Sequence, residues 1–335
     1  MAIAATLALG TDILILDEPT SELDEHATKR IVAILSELKK QGKTILIVEH
    51  KYSHFKDLVD TLVVMENGAI SAIGTPGDML ADERIRKIVV ANFSGIRPPS
   101  QKKVCLKKTE GPSDAIIQVR NLSHAYGDLL ALDSISLLVN TGEFVALVGE
   151  NGSGKTTLVK HFNRLLTPSR GAVVINGKNT RDSTITELAH HVGLVFQNPD
   201  HMFFADTVWE EVEFGLKNLG ISNRDTIILA ALSEVGLEHT TDLYPRWLSR
   251  GERQRLAIAC VIAMQPVVIV LDEPTTGLDG NEARLVLEIL KALQQKGHTI
   301  VIITHNKDIA LMCADRIVTM EQGKIVSDLC NTGSE

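Results

Sequence analysis

Residues 149–157 read Gly-Glu-Asn-Gly-Ser-Gly-Lys-Thr-Thr, a G-x-x-x-x-G-K-[ST] run set between an apolar stretch, Phe144 to Val148, and a helical pattern from Thr157 to Leu166. Strand, glycine-rich turn and helix in that order leave few folds open, because the turn must sit at the carboxyl edge of a sheet. Glycines let successive backbone N–H groups point inward, and the helix N-terminus adds partial positive charge, so such a turn cradles phosphate. Gly149, Glu150, Asn151, Gly152, Ser153, Gly154, Lys155, Thr156 and Thr157 are the candidate binding residues. Lys155 is expected to reach the β- and γ-phosphates and the Thr156 hydroxyl to ligate Mg²⁺. The expected ligand is a nucleoside triphosphate.

The chain also repeats itself. Residues 1–71 align without a gap on residues 256–326: Leu16-Asp17-Glu18-Pro19-Thr20 falls on Leu271-Asp272-Glu273-Pro274-Thr275, Leu23-Asp24 on Leu278-Asp279, and His50 on His305. A repeat this long implies duplicated domains rather than a solenoid. Residues 1–115 contain no counterpart of the phosphate loop. The expected organisation is therefore residues 1–80 as the C-terminal fragment of a first domain, 81–115 as a linker and 116–335 as a complete second domain.

Apolar runs at Asp12–Leu16, Thr44–Val48, Ile116–Val119, Leu137–Val139, Ala172–Ile175, Val192–Phe196, Val267–Leu271 and Thr299–Thr304 read as strands. The first is expected to be buried, and Ala27–Gln41 is a helix that Gly42 stops. Alternation of strands and helices predicts an α/β fold with a parallel sheet core. A helical stretch is expected over roughly Asp206 to Leu256. The segment from Ile96 to Asp114, with Pro98-Pro99-Ser100 and four lysines, reads as a basic linker.

Composition narrows the function. A formal charge of −8 argues against a general nucleic-acid binder, and 44% hydrophobic residues suffice for a packed core. The four cysteines lie far apart with no C-x-x-C pair, as in reduced thiols with no metal role. The longest apolar tract, Leu256 to Leu271, is interrupted by Gln265-Pro266 and is too short to span a bilayer. The apolar opening residues match 256–264 in the second copy, so they are expected to be a buried helix rather than an export signal. His190, His191 and His201 lack metal-ligand spacing and are expected at the surface.

Val267–Leu271 followed by Asp272-Glu273 is a hydrophobic strand ending in two acids at the sheet edge that also carries the phosphate loop. Asp272 is suited to hold Mg²⁺ and Glu273 to polarise an attacking water. Leu248-Ser249-Arg250-Gly251-Glu252 precedes this strand by one helix. With the phosphate loop and the acidic strand, it makes the chain resemble the ATP-binding cassette (ABC) ATPases, whose signature is Leu-Ser-Gly-Gly-Gln. The sequence departs from that signature at Arg250 and Glu252 but keeps Ser249 and Gly251. The resemblance implies a P-loop NTPase fold of the ABC type, with a mixed sheet core and a helical subdomain, preceded by the partial second copy.

The same resemblance implies ATP and Mg²⁺ as ligands, with Glu273, His305 and Gln197 catalytic. Thr156, Asp272 and Gln197 would be at the metal, Tyr126 on adenine, and Ser249 and Gly251 on the γ-phosphate of a facing cassette. Thr276-Gly277-Leu278-Asp279 matches the D-loop and His305 the switch histidine. Gln197-Asn198-Pro199-Asp200 and the Ser-Arg-Gly-Glu signature look like energy-coupling-factor or cobalt-type importer ATPases, as does a tandem of cassettes. The implied partners are integral membrane transporter subunits and a second ABC ATPase chain, at the cytoplasmic face of the cell membrane. A soluble ABC ATPase without transport function, or an inactive remnant, are the alternatives.

Overall fold

The structure is a computed structural model that describes residues 10–20, 23–49, 52–66, 68–90, 103–105 and 115–332. His50, residues 1–9 of the expected opening helix and most of the expected linker lie outside the described residues. The described residues form two compact units, one within 1–97 and one within 98–335.

In the first unit β1 (Ile13–Asp17) runs parallel to β2 (Thr44–Val48), and α1 (Glu25–Lys40) connects them. An antiparallel pair, β3 (Leu62–Glu66) and β4 (Ala69–Gly74), is followed by α2 (Pro76–Ala81) and α3 (Glu83–Val90). One face of β1 packs Leu16 with Leu35, Phe55 and Leu58. The other face is open: Ile13 and Ile15 are 62% and 67% exposed, and Leu46 and Val48 about half exposed. The unbroken apolar run predicts burial on both faces. Only Leu14 and Leu16 achieve it, because α1 and its neighbours cover a single side.

The second unit contains two sheets. A seven-stranded sheet has the order β11 (Val192–Val195), β12 (Val268–Asp272), β13 (Thr299–Thr304), β8 (Phe144–Val148), β14 (Arg316–Glu321), β15 (Lys324–Thr332) and β5 (Lys103–Cys105). The first five are parallel, β15 pairs antiparallel with β14, and β5 pairs antiparallel with β15, a mixed sheet. The second sheet is antiparallel, ordered β10 (Lys178–Asn179), β9 (Arg170–Ile175), β6 (Ala115–Tyr126) and β7 (Leu129–Asn140). Its apolar face, including Ile117, Leu122, Ile135 and Val173, packs on Val145, Leu147, Val268, Val270, Val301 and Ile303 of the larger sheet.

Two boundaries differ from expectation for local reasons. β6 and β7 extend well beyond the short strands predicted, since left-handed residues at Asn121 and Ser134 put irregularities into a ladder that then continues. The helix after the phosphate loop, α4 (Lys155–Val159), ends far short of Leu166. The next i→i−4 bond would need the Thr157 carbonyl, but the His161 ring takes it (2.8 Å) and the His161 N–H turns to Leu158 instead. The stretch expected to be helical over 206–256 is three separate elements: α6 (Val208–Asn218), α7 (Arg224–Glu234) and α8 (Arg250–Ala263). They follow α5 (Ile185–Ala189), and α9 (Gly280–Gln295) and α10 (Lys307–Cys313) complete the unit.

The repeat is reproduced in backbone detail. β1 pairs with β2 in the register that β12 keeps with β13, Ile13 opposite Thr44 and Val268 opposite Thr299. Glu18 N–H donates to the Val48 carbonyl (2.8 Å) as Glu273 N–H does to Ile303 (3.0 Å). Asp24 and Asp279 each cap the following helix, and both β3–β4 and β14–β15 shift register just before the methionine, Met65 and Met320. The positions equivalent to exposed Ile13, Ile15, Leu46 and Val48 are Val268, Val270, Val301 and Ile303, all essentially fully buried. Covering each such side chain contributes about 1.5–3 kcal/mol. Amides of β1 and β2 should therefore exchange with deuterium at least ~100-fold faster than those of β12 and β13. Hydrogen-exchange mass spectrometry checks this, and equal protection would refute it.

Candidate functional site

Parallel pairing puts the C-terminal ends of β8, β12 and β13 side by side: Val148 lies opposite Thr304, and Asp272 opposite Ile303. Whatever follows each strand therefore converges. After β8 comes the phosphate loop, after β12 Glu273, and after β13 His305. All five residues of β8 and of β12 are buried, so the loop and the carboxylates stand on a rigid base.

The loop is shaped by its own contacts. Gly154 caps α4 in the left-handed region (φ +99), and a Cβ there would meet the Ala131 carbonyl at 2.7 Å, so glycine is required by both torsion and space. The buried Lys155 ammonium donates to the carbonyls of Gly149 and Glu150, each at 2.8 Å, and to Ser153 Oγ at 3.3 Å. These bonds hold the charge at the centre of the turn.

The acids meet the loop directly. Thr156 Oγ1 donates to Asp272 Oδ2 at 2.7 Å. Burial raises the Asp272 carboxyl above its ordinary range, the Thr156 hydrogen bond opposes this, and neighbouring Glu273 adds to it. Glu273 itself sits in the left-handed region (φ +50). Its Oε1 accepts from His305 Nδ1 at 3.0 Å and its Oε2 from Thr276 Oγ1 at 3.1 Å. A non-glycine residue held there marks a position fixed by its surroundings.

Tyr126, Asn151, Gly152, Gly154, Lys155, Thr156, Thr157, Gln197, Asp272 and Glu273 line one cavity of about 300 Å³. Ten of the expected site residues thus share one wall-to-wall space. His305 joins it through Glu273, while Gly149, Glu150 and Ser153 form the inner turn around Lys155. Ser249 and Gly251 do not line the cavity. The sequence reading missed Leu129, Leu130, Ala131 and Ile303, which also line it. Leu129 and Leu130 follow the turn after Tyr126, and no motif marks them.

The donor set suits a divalent cation chelated by phosphate. One hydroxyl and one buried carboxylate are hard oxygen ligands at hydrogen-bonding separation, and Mg²⁺ is commonly held by one or two protein oxygens with phosphates and water completing its shell. No cluster of three or more His, Cys, Asp or Glu side chains that could hold a metal ion occurs among the described residues.

The departures from the signature have structural explanations. Ser249 caps α8 in a capping box: Glu252 N–H donates to Ser249 Oγ (3.3 Å) and Ser249 N–H to Glu252 Oε2 (2.8 Å). The Ser249 N–H bond, aided by the Ser249 side chain, holds the Glu252 carboxyl below its ordinary range. Arg250 Nη2 donates to the Thr276 carbonyl (3.3 Å), and its guanidinium lies so close to Gly277 that a Cβ there would approach within 2.3 Å. Arg253 pairs with Asp200 at 2.9 Å, joining α8 to the segment after Gln197. His190 caps the end of α5 and His201 is exposed, while burial lowers the proton affinity of His191.

The ABC transporter family model matches residues 132–276, from within β7 through the phosphate loop to Thr276. A Methanosarcina acetivorans protein described as an ABC transporter ATP-binding protein is 47% identical over 333 residues, 99% of this chain and 62% of that protein. A Pyrococcus abyssi protein of the same description is 48% identical over 186 residues, 55% of this chain and 72% of that one. The chain spans 62–65% of the length of the first three such relatives. Among solved structures, cbiO1 of Clostridium perfringens, part of the ABC transporter complex cbiONQ, superposes with a TM-score of 0.60 at 36% identity, covering 64% of this chain and 88% of that one. The dimeric bacterial ABC transporter cassette MJ0796 gives 0.59 at 30% identity, over 65% of this chain and all of that one. No helix among the described residues is long and apolar enough to cross a membrane. With the phosphate loop, paired acids and capped signature helix assembled as above, these matches show that the chain belongs to the ABC transporter ATP-binding protein family.

Proposed function

We propose that this chain is the ATP-binding and ATP-hydrolysing subunit of an ABC importer of the energy-coupling-factor or cobalt type, built as a tandem of cassette units and working against integral membrane subunits at the cytoplasmic face of the membrane. The observation that carries the reading is the Thr156–Asp272 hydrogen bond, which unites phosphate loop and acidic strand in one cavity with Glu273 and Gln197. The likeness to cbiO1 supports the subfamily, as does the Asp200–Arg253 pair that joins the two motifs on which it rests. The double occurrence of the acidic strand and D-loop supports the tandem.

In this reading residues 116–335 bind the nucleotide. Lys155 and the loop N–H groups would neutralise the phosphate oxygens, Thr156 and Asp272 would hold Mg²⁺ with Gln197 beside them, and Tyr126 would stack on the base. When bound, Mg²⁺ would supply further neutralisation of phosphate charge. Glu273 orients the attacking water and takes its proton, and His305 and Thr276 fix the carboxylate for that task. Ser249 and Gly251, outside this cavity, present a hydroxyl and a helix N-terminus to the γ-phosphate of a second cassette. Chemistry is then confined to the closed pair, where water is excluded, and closure pulls on the membrane partners.

Three outcomes follow. Specific ATPase activity should rise with protein concentration until pairing saturates, and concentration-independent turnover by a strict monomer would overturn the composite site. Glu273→Gln should lower turnover by about 10²–10⁴-fold while leaving MgATP binding intact, and should accumulate ATP-bound dimers in size-exclusion with light scattering. Rapid hydrolysis by that variant would remove Glu273 from its role. Arg250→Ala, which frees the D-loop from the signature helix, should lower kcat by about threefold to tenfold with KM for ATP unchanged, measured at saturating protein. Failure of the wild-type chain to bind MgATP at all would sink the proposal.

A further inference from the structure

Two histidines occupy the wall between the phosphate-loop helix and the strand that ends in Tyr126, and no step above uses them. His161 is fully buried and His124 nearly so. His161 Nδ1 lies 2.8 Å from the Thr157 carbonyl, and His124 Nδ1 lies 3.2 Å from the Thr167 carbonyl. A carbonyl can only accept, so both Nδ1 atoms carry the hydrogen. His161 Nε2 is then a lone-pair acceptor, and it sits 3.2 Å from His124 Nδ1. The hydrogen of His124 is shared between Thr167 and His161. The two rings are thereby bridged nitrogen to nitrogen.

The bridge has two functional ends. At one end Thr157 follows Thr156, and the His161 ring sets where α4 stops. At the other end the His124 ring packs edge-on against Tyr126, with centroids 4.8 Å apart and planes at 75°. His124 and His161 are related in the same way, at 4.8 Å and 76°. Tyr126 is half exposed, lines the cavity, and makes no other ring contact among the described residues. The three rings form a ladder from the phosphate cradle to the aromatic at the base position.

We infer that His161 and His124 are positioning residues for nucleotide recognition, holding Tyr126 at a set distance and tilt from the phosphate loop so that base and triphosphate are bound as one rigid unit. This rests on the proposed reading of Tyr126 as the base-stacking residue. An aromatic contact fixed in orientation is worth more than one that must be ordered on binding, because its rotamer is already frozen. The bridge acts on the base and leaves the phosphate contacts alone.

The test compares MgATP with magnesium tripolyphosphate, which keeps the phosphates and lacks the base, by titration calorimetry on the full chain. His161→Asn retains a group at the Nδ1 position for the Thr157 carbonyl and removes the link to His124. ATP affinity should fall by about threefold to tenfold, with tripolyphosphate affinity unchanged within twofold. His124→Phe, which keeps a ring against Tyr126 but removes the shared hydrogen, is the second variant and should give the same selective loss. In a Tyr126→Ala background neither substitution should weaken ATP binding further. Equal loss of both ligands, or no change in their ratio in either variant, would overturn the inference. Wild-type protein that binds neither ligand would instead overturn the proposed function.

Discussion

The interaction on which the site depends is the contact between a hydroxyl on the phosphate-loop helix and a carboxylate at the end of the neighbouring strand, Thr156 to Asp272. It exists because β8, β13 and β12 are parallel and end in register, so that three unrelated loops begin at one edge. That placement costs solvation: Asp272 and Glu273 are adjacent, both buried, and burial drives the Asp272 carboxyl toward its protonated form. Hydrogen bonds from Thr156, His305 and Thr276 and the nearby Lys155 charge offset part of this. A divalent cation bound beside Asp272 would offset the rest, since it favours the ionised carboxylate that water no longer stabilises.

The signature helix obeys a different constraint. Its first turn is capped from within and closely covered: Gly251 is buried, and a Cβ there would meet the Glu282 side chain at 2.3 Å. Glu252 satisfies the Ser249 N–H and receives support from it, so the helix needs no external cap. Arg250, which looks disruptive in a glycine-rich signature, lies against the bare backbone of Gly277 and reaches the Thr276 carbonyl. Thr276 in turn donates to Glu273. The signature, the D-loop and the acidic strand are thereby joined through one short chain of contacts.

Much of this was legible in the sequence because the relevant features are contiguous. The phosphate loop, the Asp272-Glu273 pair and the Ser249 cap each occupy a few adjacent residues whose chemistry dictates their local form. What was not legible depends on contacts between distant segments. The early end of α4 follows from a His161 ring nitrogen capturing a carbonyl, which no periodicity encodes. β6 and β7 read as short because left-handed residues at Asn121 and Ser134 interrupt the alternation within continuous strands. Leu129 and Leu130 reach the cavity only because a hairpin turns at Gly127, and the exposure of Ile13 and Ile15 reflects which layers lie over β1 rather than its composition.

The repeat separates two possible origins of the backbone strain at the acidic strand. Glu273 has φ +50 and Glu18 has φ +44. Each precedes a proline, which disfavours the right-handed helical region, and each N–H is drawn to the neighbouring strand, Glu18 to Val48 and Glu273 to Ile303. A non-glycine residue in this conformation costs on the order of 1–3 kcal/mol. The two positions share Leu-Asp-Glu-Pro-Thr and the same parallel pairing, Ile13 opposite Thr44 and Val268 opposite Thr299. The shared strain is a product of that segment closing onto a parallel neighbour, so the strand pair sets the Glu273 backbone conformation. The direction in which the Glu273 side chain leaves the backbone is thus fixed by the sheet.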